Sequence, residues 1–392
     1  MRPLDGITII SLEHAVAVPF ATRQLADLGA RVIKIERPEQ GDFARAYDTR
    51  VKGLSSYFVW ANRSKESLTL NLKHPEAMRV LMNMIGKADV FIQNLAPGAA
   101  SRLGLSNDAL RPTHPGLIIC DVSGYGSDGP YHDKKAYDIM VQAEAGLMSV
   151  TGSQDAPSRA GFSAADVSAG MYAYSNVLSA LILRMRTGKG SHIDVAMLES
   201  LTEWMSNPLY YAYDDAPPAP RSAASHPSIY PYGPFSTGDG KTVLLGIQNE
   251  REWTTFCEVV LQQPALARDP DFDSNVKRSE RREELLALIE SVFAPLGVDE
   301  VQARLDKASI GNARMRTMHD VWDHPQLKAR NRWRKVGTPA GPIDALLPPG
   351  INDSYEYCMG DVPALGEHTE PILSELGYDS NDIQRLRSEG AI

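Results

Sequence analysis

Ile7-Thr-Ile-Ile-Ser-Leu12, a run from about Pro19 to Leu28, Gly29, and then Arg31-Val-Ile-Lys-Ile-Glu36 are the residues from which the fold is read. The two outer segments are short and rich in β-branched side chains, the pattern of strands buried in a sheet. The run between them reads as a helix, with Pro19 in its first turn and Gly29 ending it. Parallel strands need such a crossover, so this strand–helix–strand unit predicts the seed of a parallel sheet.

The alternation continues. Leu68-Thr-Leu-Asn-Leu72 predicts a strand, Pro75 opens a helix to about Ile85, and Asp89-Val-Phe-Ile-Gln93 returns to the sheet. Leu117-Ile-Ile-Cys-Asp-Val122 and Ser191-His-Ile-Asp-Val195 add two more strands. The fold class is therefore α/β, a doubly wound parallel sheet, over residues 1–212. Composition shifts at Asp214-Asp-Ala-Pro-Pro-Ala-Pro220, which predicts a linker over 213–232. A hairpin-like pair, Gly233-Pro-Phe-Ser and Lys241-Thr-Val-Leu-Leu245, and helices near 250–261, 279–293 and 299–307 predict a smaller α+β domain over 233–332. Residues 333–392 start as a Pro- and Gly-rich extended stretch and finish in two short helices, near 369–376 and 379–389.

Composition excludes several classes. Asp plus Glu at 49 exceed Lys plus Arg at 40, a net charge of −9, which argues against a nucleic-acid binder. The three cysteines, Cys120, Cys257 and Cys358, are far apart and form no CxxC, so neither a disulfide framework nor a thiolate metal site is expected. No HExxH, GxSxG or Walker A sequence occurs, which speaks against zinc, serine-hydrolase and P-loop chemistry. Without a run of about 18 apolar residues no membrane span is expected, and a reducing cytoplasm is the expected location. Gly124-Tyr-Gly-Ser-Asp-Gly129 matches GxGxxG, but Pro130 and the polar run behind it do not open a helix, so it reads as a glycine-rich loop beside another site.

Two features carry chemistry. Gly161-Phe-Ser-Ala-Ala-Asp166-Val-Ser-Ala-Gly170 places one acid in the first turn of a long helix, whose apolar positions Val167, Met171, Tyr174, Leu178, Leu181 and Met185 predict its buried face. Unpaired N–H groups there favour a carboxylate, so Asp166 reads either as a nucleophile or as a cap paired with Ser163. Arg37, Lys73, Arg102 and Lys135 follow the ends of expected strands, where they are either solvated or together line a crevice for a polyphosphate.

The motifs Pro3-Leu-Asp-Gly-Ile, Leu28-Gly-Ala-Arg-Val-Ile-Lys-Ile-Glu-Arg-Pro38, Gly41-Asp42, Asn62-Arg-Ser-Lys, Leu70-Asn-Leu-Lys73, Asn94-Leu-Ala-Pro-Gly98, Gly124-Tyr-Gly, Thr187-Gly-Lys-Gly190 and Leu365-Gly-Glu-His-Thr369 keep their order across nearly the whole chain. In this the chain resembles the family III CoA transferases, which include formyl-CoA, carnitine and succinyl-CoA:dicarboxylate transferases. The resemblance implies a large CoA-binding domain, a small domain, a C-terminal segment returning to the large one, and an interlocked homodimer. It implies Asp166 as the nucleophile. It implies CoA contacts at Ala15 and Val16 on the adenine side, at Arg37, Lys73, Arg102 and Lys135 around phosphates or ribose, at Leu70, and at Asn94 and Leu95 along the pantetheine. Tyr137 and Asp138 would border the active site, and Gly246 would belong to a lid. Arg45, behind Gly41-Asp42, is a candidate for holding a second substrate carboxylate.

The expected activity is transfer of CoA from a succinyl-CoA-like donor to a small, dicarboxylic acid through aspartyl anhydride and aspartyl-CoA thioester intermediates. CoA thioesters are substrates there, with no prosthetic group and no metal. The same resemblance covers α-methylacyl-CoA racemases, which use a histidine where Tyr137 stands; a phenol with a pKa of about 10 is a poor proton shuttle. Intramolecular transfer within one diacid and non-catalytic CoA binding are the other readings.

Overall fold

A computed structural model describes residues 1–392, which form two units. The first comprises residues 1–147, 160–207 and 329–392, and the second 148–159 and 208–328. No helix is long and apolar enough to cross a membrane.

The first unit is built on strands β1 (Thr8–Leu12), β2 (Arg31–Glu36), β3 (Lys65–Thr69), β4 (Val90–Gln93), β5 (Ile118–Ser123) and β6 (His192–Ala196). All are parallel, in the order β3-β2-β1-β4-β5-β6. This is the doubly wound sheet expected, with strand order reversing between β1 and β4. Strand β3 begins three residues before the expected Leu68, because the polar side chains of Lys65 and Ser67 also find buried partners, in Glu13 and Glu36.

One face of the sheet is covered by the helices Ala17–Asp27 and Ala164–Thr187, with Val18, Leu25, Val90, Ile118 and Val177 fully buried. The other is covered by Pro75–Ile85 and by the C-terminal helices Thr369–Glu375 and Ser380–Ser388, which bury Ile372, Leu373 and Leu386. The return of the C-terminus is also hydrogen-bonded: Thr69 N–H donates to Thr369 Oγ1, and Asn71 N–H to Ala391 O. Before it, residues expected to be merely extended form an antiparallel hairpin of β10 (Trp333–Val336) and β11 (Ile343–Leu346). Buried Val336 joins Ala44, Phe58, Val59 and Val362 in a small cluster of its own.

The second unit holds the antiparallel sheet of β7 (Tyr232–Ser236), β8 (Thr242–Gly246) and β9 (Asn312–Arg314), in that order. Phe235, Trp253, Phe256 and Phe293 fill its core. Residues 148–159 belong to this unit, although the sequence reading placed them in the large domain. The Arg221 guanidinium holds them by donating to the carbonyls of Ser153 and Gln154.

The long helix buries a different face from the one its large apolar residues suggested. Ala165, Ala169, Gly170, Ala173, Val177 and Leu181 are buried, whereas Met185 is 86% exposed. The reason is close approach: a Cβ on Gly170 would stand 2.6 Å from Ala17 O and 2.9 Å from the Phe20 ring. Only small side chains let the two helices meet there. Alanine favours a helix by about 1 kcal/mol over glycine, but overpacking costs about 1–3 kcal/mol. The Gly170→Ala protein is therefore expected to melt below the wild type in a thermal scan; a higher Tm would mean the contact has slack.

Candidate active site

Ligand crevices in open α/β sheets form outside the carboxyl ends of the strands, where strand order reverses. Here the loops after β1 and β4 are stitched together at that point. His14 N–H donates to Asn94 Oδ1 at 2.9 Å, and Asn94 Nδ2 donates to His14 O at 2.9 Å. Ala15 has φ +62°, a conformation that costs a non-glycine residue about 1–3 kcal/mol and persists only when its surroundings impose it. Asp42 imposes it by accepting from Ala15 N–H at 3.0 Å.

Asp42 is itself held from below. Lys34 Nζ, fully buried, donates to Asp42 at 2.7 Å and to Glu13 at 3.2 Å. Lys65 Nζ, also buried, donates to Glu13 at 2.6 Å. Burial opposes ionisation of Asp42 and Glu13, yet Lys34 with the Ala15 N–H holds Asp42, and Lys65 with Lys34 holds Glu13, below the ordinary carboxylate range. Burial likewise pushes the His14 imidazole down, against the pull of Asp42, so the ring is neutral at pH 7.

Two cavities open along this edge and share His14 and Leu95. The larger, about 1090 Å³, is lined by Arg37, Leu70, Lys73 and Leu95 among others. The smaller, about 700 Å³, contains Ala15, Val16, Asn94, Lys135, Tyr137, Asp138 and Asp166. Thus Ala15 and Val16, expected on the adenine side, line the same cavity as Asp166. Phe43 lines the smaller cavity, with the Arg37 guanidinium 4.5 Å above its ring and the His14 ring at 5.1 Å.

Two expected residues are not brought in. Arg102 is exposed and lines neither cavity. Arg45 makes a bidentate pair with Glu36, both contacts 2.8 Å, and stacks 3.7 Å from the Phe58 ring, so it has no free face for a substrate carboxylate. Gly246 lies in the second unit, where its N–H donates to Gly311 O, so that amide is not a free oxyanion donor.

Asp166 sits in the first turn of its helix, but the cap is not Ser163, whose side chain makes no capping hydrogen bond. Asp138 Oδ1 accepts instead from Ala165 N–H at 2.8 Å and from Asp166 N–H at 3.4 Å. The helix-start donors that could have held the Asp166 carboxylate, or a developing oxyanion, are occupied. Burial and then the charge of Asp138 push the Asp166 carboxyl up to about 7. The sequence reading placed Asp138 at the site but missed its role, because a cap 28 residues away leaves no local spacing signal. The surviving signal was helical: Gln142, four residues on, donates to Asp138 at 2.6 Å.

The site thus presents a partly buried carboxylate without a cationic partner to a cavity. Such a group is poorly hydrated, and a poorly hydrated carboxylate attacks an electrophile or exchanges a proton more readily than a solvated one. Its folded-state pKa lies above the ordinary 3.8, so the folded chain holds the proton more tightly and stability falls as pH rises from about 4 through 7. Asp166→Asn removes the charge with little change of shape. The variant is expected to melt higher than the wild type at pH 8, by about 2–4 °C for each kcal/mol, and the gap to narrow as pH falls through 5 and to close near pH 4. Equal shifts at the two ends of this range would mean that Asp166 is not strained by ionisation.

The CoA-transferase family III model matches residues 4–369. The chain is 35% identical to an acyl-CoA transferase of Fusarium pseudograminearum, over 99% of this chain and 88% of that one. It is 34% identical to the succinyl-CoA:glutarate CoA-transferase of Mus musculus, over 100% of this chain and 91% of that one. A CAIB/BAIF family protein from Brucella suis, known from its crystal structure, aligns with a TM-score of 0.86 at 33% identity, covering 96% of this chain and 99% of that one. Together with the strand order and the aspartate opening the long helix, these likenesses establish that the chain belongs to CoA-transferase family III and is a CoA transferase.

Proposed function

We propose that this CoA transferase moves CoA from a succinyl-CoA-like donor to a small dicarboxylic acid, with Asp166 as the nucleophile. The observation that carries the reading is the Asp166 carboxylate, without a cationic partner, in a cavity that meets the Arg37- and Lys73-lined crevice at His14 and Leu95. The printed activity of the mouse relative, succinyl-CoA:glutarate transfer, supports a succinyl donor and a diacid acceptor.

The Asp166 carboxylate attacks the thioester carbonyl, giving a mixed anhydride and CoA thiolate. The thiolate then attacks the Asp166 carbonyl, releasing the donor acid and leaving an aspartyl-CoA thioester. An acceptor carboxylate enters and the two steps run in reverse, so one difficult exchange is divided into easier displacements. Arg37 and Lys73 are read as phosphate contacts and Leu70 as a contact of the same cofactor. Asn94 and Leu95 are read as lining the path of the pantetheine towards Asp166.

Incubation with succinyl-CoA and a panel of diacids, including glutarate, malate, mesaconate and itaconate, is expected to yield a new acyl-CoA by mass spectrometry. Asp166→Ala is expected to slow this exchange on the order of 10³-fold or more. Full exchange in that variant, or no product from any diacid, contradicts the reading.

We also read the chain as an interlocked homodimer. The exposed apolar side chains of Tyr137, Ile139, Met140 and Phe162 in the first unit supply surface that a second copy would cover. Light scattering on the eluted protein is expected to give twice the chain mass, and a monomer at micromolar concentration rules this out.

A further inference from the structure

Asp138 opens the helix Asp138–Glu144, and its carboxylate grips the start of the nucleophile's helix. Its second oxygen accepts from Gln142 Nε2 at 2.6 Å. Gln142 is fully buried; its Oε1 accepts from Ala160 N–H at 2.8 Å, and its Nε2 also donates to Phe162 O at 3.3 Å. Asp138 and Gln142 therefore hold both the loop before Asp166 and the first turn that carries it.

A neutral cap would satisfy the same donors, and Ser163 stands beside them without being used. The charge of Asp138 needs a separate account. The groups that share the cavity with Asp166 are Tyr47 and Tyr57 from the segments after β2, His14 from the β1 loop, and Lys134, Lys135 and Tyr137 ahead of Asp138. Lys134 is bound to Glu144 at 2.8 Å, and the His14 ring is neutral. Asp138 is the group whose charge bears on Asp166.

We propose that Asp138 is a positioning residue with two tasks: it fixes the helix start that carries Asp166, and its negative charge disfavours the ionised nucleophile relative to the neutral, acylated forms through which the reaction passes. This rests on the reading of Asp166 as the nucleophile. When a carboxylate oxygen of Asp166 bonds to the thioester carbonyl, the carbon–sulfur bond breaks and its electron pair leaves with the thiolate. When the thiolate attacks Asp166, the bond to the donor carboxylate breaks and the charge leaves with that acid. In both covalent states Asp166 is neutral, so the repulsion present in the resting site is relieved.

The test compares the wild type with Asp138→Asn and Asp138→Ser, both neutral caps, in the pH profile of kcat/KM and in the fraction of Asp166 trapped by hydroxylamine during turnover. The wild-type profile is expected to rise with pH and break near 7. In the variants the break is expected to move down by about one unit, and the trapped fraction to fall by about tenfold, the same change in relative free energy. A merely structural cap would lower kcat without moving the break. A break that stays in place in both variants, or a wild-type break near 4, overturns the proposal; the wild-type measurement decides even if neither variant folds. Asp166→Ala separates the two readings. Residual full exchange there removes the nucleophile assignment, whereas a dead Asp166→Ala beside an unshifted Asp138→Asn removes only the role of Asp138.

Discussion

Beneath the β1 loop, two lysines and two acidic side chains lie entirely out of water: Lys34, Lys65, Glu13 and Asp42. Burying such groups is tolerable only when each finds partners, and removing one from a buried set costs about 3–5 kcal/mol. Against burial, Glu13 and Asp42 hold Lys34 protonated, whereas burial pulls Lys65 down to about 7. The set extends outward through a second layer, in which Glu36 accepts from Arg45 and from Ser67 Oγ, and Ser67 Oγ accepts from Gly366 N–H. One polar network thus runs from the β1 loop to the returning C-terminal segment. The crevice depends on it, because Asp42 is also what holds Ala15 in its unfavourable conformation at the strand-order reversal.

Above that network the electrostatics are inverted. Asp166 makes no ion pair with a cation, and the N–H groups at its helix start are taken by another carboxylate. A residue placed for stability would have been given those donors. Raising the energy of the ionised state of Asp166 makes the resting enzyme less stable and its carboxylate more reactive, the exchange of stability for function that active sites commonly show. The hydrogen bonds of Asp138 and Gln142 to the loop and first turn hold such a group in place.

The architecture was legible in the sequence because it rests on periodicity. Alternation of β-branched runs with helices opened by Pro75 or closed by Gly29 identified the parallel sheet, and the hairpin pair after the Pro-rich stretch pointed to β7 and β8 of the second unit. What failed was long-range and polar. Lys34 lies within an expected strand and Lys65 ahead of one, and nothing local to either indicates that both meet Glu13. Arg45 resembled a free carboxylate clamp because nothing local to it indicates that Glu36, nine residues earlier, makes a bidentate pair with it. Ser163 had the spacing of a cap, and Asp138 took the position from across the fold. The long helix was read from its large apolar residues, whereas its packing is governed by Gly170 and the alanines that let another helix approach. Asp166 was visible as a charge at a helix start, and its chemical environment was not.

Under the proposed chemistry Asp166 becomes covalently acylated during turnover. Peptide mass spectrometry after turnover with succinyl-CoA in the presence of hydroxylamine addresses it directly. A hydroxamate on Asp166, formed only when acyl-CoA is supplied, is the predicted result. An unmodified Asp166 in a sample that is turning over, or modification of a different carboxylate, would contradict it.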